Sequence, residues 1–247
     1  PAMQFLHLGA FTASPEDPIF IRVDLYESYI ASGFPSMVTI NTMKCQIYWD
    51  DDDLIDLLYN RLFFAEGFAE IFSDDNISGV KLFEKLCPKE IKIRGKAMQI
   101  WKWVFLHIRD GNNNKTPRNL IDLIIRAKEA QIHNDEREKR EYNKENVLIE
   151  AESFRKAFVN LSHDRISDTL REEAREISDI IEQFRNSKAE QNYSSLKRII
   201  GDAYNEIQSR AIIKKLTDIG FLEQVGANYK VPLIYREGLN ITQGKAF

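Results

Sequence analysis

The chain has 247 residues, 43% of them hydrophobic, and a formal charge of -4. That is enough apolar material for one large domain or two ordinary ones, and the acidic balance excludes a protein whose whole surface grips nucleic acid or an anionic membrane. Cys45 and Cys87 stand far apart with no metal-ligand spacing, which argues against a disulfide framework or zinc site and for a reducing, cytoplasmic setting. No apolar run approaches the roughly 18 to 20 residues of a membrane span, and the opening Pro1-Ala2-Met3 reads as a cut through a longer protein.

In chain order, the apolar, β-branched run over residues 18–24 predicts a buried strand whose C-terminal end, carrying Arg22 and Asp24, faces a site. Lys44 to Trp49 is extended by composition. Asp50 to Asp53 then open a helix to Phe64 with Leu54, Leu57, Leu58 and Leu62 on one stripe, the acids sitting where a helix start favours them. Short and longer helices are expected over 79–86 and 97–108, the second with Ile100, Trp101, Val104, Phe105 and Ile108 inward. Residues 111–115 form a turn. Thr116 and Pro117 then supply an N-cap and a first-turn proline for a helix to about Ile132, with Leu120, Leu123, Ile124 and Ala127 as its core face.

Residues 133–146 are almost entirely charged or amide, a solvated loop or exposed helix extension that makes the best internal joint. Two amphipathic helices follow over 147–161 and 167–184, the second with Leu170, Ala174, Ile177, Ile181 and Phe184 inward, and 186–192 reads as a polar linker. The remainder predicts helices over 194–203 and 207–219, then β-rich runs over 220–225 and 229–234 around a turn at Gly226. Gly220 caps the preceding helix, and the pattern fits a small winged helix whose wing is the hairpin.

No GxxxxGK[ST] loop is present, nor a GxSxG elbow, an HExxH helix or a Cys/His arrangement for nucleophilic catalysis, so no catalytic residue is assigned. Cys45 to Asp51 superficially matches an apolar strand with magnesium-holding acids, but acids ahead of a leucine stripe are the ordinary mark of a helix N-terminus. Arg22 and Asp24 suit either nucleotide sensing or an ion pair tying the strand to a neighbouring helix. Arg118 leaves the first turn of its helix, where its planar fork can meet a phosphate or solvent. Trp101, Trp103 and Phe105 read as core rather than a base-stacking platform. From Ser194 onward eight Lys/Arg face five Asp/Glu, which nominates Arg210, Lys214, Lys215 and Lys230 as contacts to DNA or a partner, although Lys214 and Lys215 equally suit a solvated helix face.

Four separated pieces resemble the prokaryotic P-loop ATPases related to the STAND and AAA+ groups, found in conflict or defence systems. Pro18 to Asp24 resembles that family's sensor strand with its Arg-x-Asp ending. Ile47 to Arg61 resembles its segment of an aliphatic residue, a tryptophan and a leucine-rich helix. Thr116-Pro117-Arg118-Asn119-Leu120-Ile121 resembles its Arg-Pro-Arg-Asp-Leu-Ile helix, with Thr116 and Asn119 departing from the pattern and Arg118 in the place of the arginine that approaches the γ-phosphate. Tyr229 to Leu239 also looks like its closing winged-helix strand.

The resemblance implies that the phosphate-binding elements, with ATP and Mg2+, belong to a region N-terminal to Pro1, which would be this chain's principal partner. The expectation is a mainly α chain with minor β: residues 1–66 as the end of an α/β ATPase core, 67–190 as a helical lid-like bundle and 191–247 as a winged helix. Its role would be to couple nucleotide state to conformation without hydrolysing ATP alone, a homo-oligomer being one arrangement. A winged-helix DNA binder and a non-catalytic interaction module are the alternatives.

Overall fold

The computed structural model describes residues 3–6, 19–22, 45–65, 84–93, 95–141, 147–168 and 175–247. The chain is mainly helical with small sheets, and it divides into two compact units, Pro1–Asp50 and Asp51–Phe247.

In the first unit, β1 (Met3–Leu6), β2 (Ile19–Arg22) and β3 (Cys45–Ile47) form an antiparallel sheet in the order β2-β1-β3. The strand expected over 18–24 is present over Ile19–Arg22 as β2, and among the described strands it lies at an edge, paired antiparallel with β1. Asp24 lies outside the described residues.

The second unit opens with α1 (Asp51–Phe63), whose first turn carries Asp51, Asp52 and Asp53 and whose stripe buries Leu54, Ile55 and Leu58. Residues 84–86 are helical, while the rest of the helix expected over 79–86 lies outside the described residues. The helix expected from 97 instead starts three residues later. Lys96–Gln99 is a strand, β5, paired antiparallel with β4 (Glu90–Ile93), and α2 runs Ile100–Ile108. The alternation in Glu90-Ile91-Lys92-Ile93 and the turn at Gly95, with φ 81, dictate the hairpin.

Thr116 caps α3 (Pro117–Arg137), its hydroxyl accepting the Asn119 N–H at 3.2 Å. The helix runs on into the charged stretch and packs along α4 (Ala151–Asp168). The pair is antiparallel: Asn134 meets Ser153 at one end and Arg126 meets Asp164 toward the other. The described part of the expected joint, residues 133–141, lies within the second compact unit, and 142–146 lie outside the described residues. Arg140 in that part donates to the Val147 and Leu148 carbonyls and to Glu150. Helix α4 is also continuous across the break expected at 161–167, because Leu161, Ser162, Arg165 and Ile166 all stay buried.

Ile177, Ile181 and Phe184 point inward as expected, but from a 3-10 turn, the short α5 (Ser178–Glu182) and a following turn rather than one helix; Leu170 and Ala174 lie outside the described residues. The polar linker expected over 186–192 is a strand, β6 (Lys188–Gln191), with Ala189 and Gln191 buried. Capping boxes at Asn192/Ser195 and Asn205/Gln208 start α6 (Tyr193–Ile200) and α7 (Glu206–Asp218). Gly220, φ 76, ends α7 in a Schellman arrangement: its N–H meets the Thr217 carbonyl and the Phe221 N–H meets Leu216.

A two-residue turn at Gly226, φ 61, joins β7 (Glu223–Val225) to β8 (Asn228–Lys230). The strand expected to reach 234 stops short, since Pro232 has no N–H to donate to a ladder, and Leu233–Arg236 forms a short helix, α8. With β9 (Thr242–Lys245) the sheet order is β7-β8-β6-β9, β6 pairing antiparallel with β8 and parallel with β9.

Among the described residues two hydrophobic cores result. The first joins α1, β4, α2, α3 and the front of α4, from Leu54 to Leu161. The second joins Ile166 at the back of α4 to α5, α6, α7 and α8, with Phe221 between Phe184 and Tyr235 at 5.1 and 5.2 Å. Trp103 and Phe105 are buried in the first core, and Trp101 packs against it.

Candidate functional site

Arg118 is exposed in the first turn of α3, one residue after Pro117. Among the described residues no ion pair or hydrogen bond engages its guanidinium. Its helix start is firmly placed from both sides. Lys115 ion-pairs with Asp51 at the start of α1, its ammonium 5.7 Å from the Phe105 ring. Asn119, which stands where the family pattern has aspartate, is buried and donates to the Ile108 carbonyl at 3.2 Å. It therefore caps the end of α2 instead of supporting Arg118. Arg22 ends β2, in the other compact unit.

Three of the four cations nominated for DNA or partner contact are ion-paired within the chain. Arg210 pairs with Glu206 at 3.0 Å and lies 4.5 Å over the Tyr193 ring. Lys214 pairs with Asp218 at 2.8 Å, and Lys215 pairs with Glu176. Lys230 stands directly opposite Glu190 on one neighbouring strand and Glu223 on the other. Arg210, Lys214 and Lys215 thus each face a paired carboxylate, which lowers the field they offer to a phosphate backbone.

The turn expected over 111–115 is present, and what the sequence reading missed is what that loop, just before Arg118's helix, holds on to. Asp110 accepts the Asn112 and Asn114 N–H groups at 2.9 and 2.8 Å and the Asn114 side-chain amide at 3.2 Å. Burial pushes its carboxyl above the usual range, and the hydrogen bonds from Asn114 and Asn112 oppose that rise. The loop reaches the end of α7: Gly111 N–H donates to the Gly220 carbonyl at 2.7 Å and Asn112 Nδ2 to the Asp218 carbonyl at 3.0 Å. Arg109 stands 3.7 Å from Glu223 at the base of the hairpin. The signal in the sequence was an aspartate followed by Gly-Asn-Asn-Asn, an Asx-type turn, but its partners lie more than a hundred residues away.

Among the described residues no group of three or more His, Cys, Asp or Glu side chains is placed to hold a metal ion, and no helix is long and apolar enough to cross a membrane. No protein-family model, curated protein or solved structure matches this chain.

Proposed function

We propose that this chain is the response portion of a nucleotide-dependent switch ATPase, in which Arg118 reads the γ-phosphate and a C-terminal winged helix, built from α6, α7 and the β7–β8 hairpin, carries the conformational output. ATP and Mg2+ would be held by an N-terminal phosphate-loop region of the same protein, and this chain contributes no catalytic group. The observation that supports the reading is the contrast between Arg118 and three of the cations nominated in the C-terminal segment. Arg118 presents an unengaged guanidinium from a capped, anchored helix start, whereas Arg210, Lys214 and Lys215 are spent on intramolecular carboxylates. A charge-assisted fork to phosphate needs such a pre-positioned group. The same contrast puts DNA binding behind this reading.

The test is a nucleotide titration of the protein carrying the phosphate-loop region, with and without Arg118→Ala. The substitution is expected to leave folding within about 0.5 kcal/mol and to reduce the preference for ATP over ADP roughly tenfold or more, the worth of one charge-assisted fork. An unaltered ATP/ADP ratio with folding intact overturns the sensor role. Duplex DNA titrated against the whole chain at several salt concentrations is expected to give no steep salt dependence; a slope of several released counterions would favour a nucleic-acid function.

A further inference from the structure

The loop over 109–116 belongs by sequence to the helical layer of the first core, yet its polar groups are directed at the end of α7 in the second. A helix C-terminus leaves carbonyls without intrahelical partners. Here Gly111 N–H and Asn112 Nδ2 supply donors to the Gly220 and Asp218 carbonyls. Asp110 holds the loop in that shape by gathering the Asn112 and Asn114 amides on its own carboxylate. The fit admits nothing larger: a Cβ on Gly220 would lie 2.7 Å from the Asp110 carboxylate, and one on Gly111 would lie 2.5 Å from the Leu222 carbonyl oxygen.

We infer that this loop is a coupling clasp, joining the start of α3 to the end of α7 and the base of the β7–β8 hairpin, with Asp110 as its positioning residue. Displacement at the Arg118 end of α3 is then passed to the hairpin through short hydrogen bonds. Without the clasp the end of α7 would open locally while the cores stay folded. That the transmitted signal is nucleotide state rests on the reading of Arg118 above; the clasp itself does not.

Hydrogen exchange of the whole chain, without nucleotide, tests the clasp separately from that reading. Asp110→Ala is expected to raise amide exchange across 217–225 at least tenfold, and Asn112→Ala, which removes the bond to Asp218, several-fold. Exchange across 123–131 in α3 stays within twofold in both. Asp110→Asn, which keeps an oxygen acceptor for the loop amides, restores most of the protection. Lys214→Ala, which breaks an ion pair to the same Asp218 without touching the loop, leaves 217–225 within twofold of the wild type. Unaltered exchange across 217–225 in Asn112→Ala and in folded Asp110→Ala overturns the clasp, as does a rise of equal size across 123–131, which would mark general destabilisation. Should Asp110→Ala fail to fold, Asn112→Ala decides, because its exposed side chain can be removed without disturbing either core.

Discussion

The Gly111 backbone runs against the Leu222 carbonyl so closely that a Cβ at 111 would sit 2.5 Å from that oxygen, against backbone that has no side chain to swing aside. Gly111→Ala is therefore expected to destabilise the chain by about 2 kcal/mol, in the range of overpacking substitutions. Gly226 has open space around it and needs glycine only for its φ of 61. Gly226→Ala is expected to cost about 1 kcal/mol. Urea melts of the two variants side by side check the order; equal costs would show that the loop can retreat from Leu222.

His107 stacks on Trp103 at 4.0 Å and meets the edge of Phe158 at 4.7 Å, with Nδ1 2.7 Å from the Trp103 carbonyl oxygen. Burial, with a further contribution from the Arg236 charge, lowers its pKa from 6.5 to about 4 against the opposing pull of that carbonyl. The folded state thus favours the neutral ring, and the unfolded chain takes up the proton first. The resulting stability is fully present above the unfolded value and is lost as pH falls toward the folded one, about 3 kcal/mol across that window. Carboxylates titrate there too, so the readout is a difference. His107→Phe is expected to lose less stability than wild type between pH 7 and 4, and parallel curves would refute the assignment.

Leu216 is fully buried in the second core. Leu216→Asp places an unpaired carboxylate there and is expected to cost roughly 3 to 5 kcal/mol. Circular dichroism melts should show a large fall in Tm, while Lys214→Ala, which removes the exposed ion pair with Asp218, moves stability by less than about 1 kcal/mol. An unchanged melt for the first variant would mean that α7 presents a different face.

Gln131 fixes the register of α3 against α4. Its Oε1 accepts the Ser153 hydroxyl at 2.8 Å and the Glu150 N–H at 2.9 Å, and its Nε2 donates to Asp135. Gln131→Leu keeps the volume but strands those two donors, an expected cost of about 2 to 4 kcal/mol. Adding Ser153→Ala should recover part of it in a double-mutant cycle, since one of the two donors is then gone.

Local chemistry was legible where a few adjacent residues decide the structure. Thr116-Pro117 announced α3 and Gly220 ended α7, because a cap, a fixed φ or a left-handed residue acts within one turn. Strand β6 was not legible. Lys188-Ala189-Glu190-Gln191 has one apolar residue and reads as linker, and it becomes a strand because β8 and β9 flank it. Hairpin β4–β5 carries a period-two alternation over Glu90–Ile93 that the sequence reading left unassigned. In the candidate site, the exposure of Arg118 followed from its place at a helix start. The clasp beside it depends on Asn112 meeting Asp218, 106 residues on, which no local pattern encodes.

Because β6 lies between β8 and β9, and Ile166 and Ile177 complete the core behind it, the C-terminal half has no clean cut at the polar stretch before Tyr193. A piece excised from Ser194 onward would lose the middle strand of its sheet, the side chain that caps α6 at Asn192, and the Phe184 ring that packs on Phe221. It would present two bare strand edges to its neighbours and invite aggregation. Any excisable C-terminal fragment must begin inside α4, ahead of Ser162, whose hydroxyl accepts the Gly238 N–H.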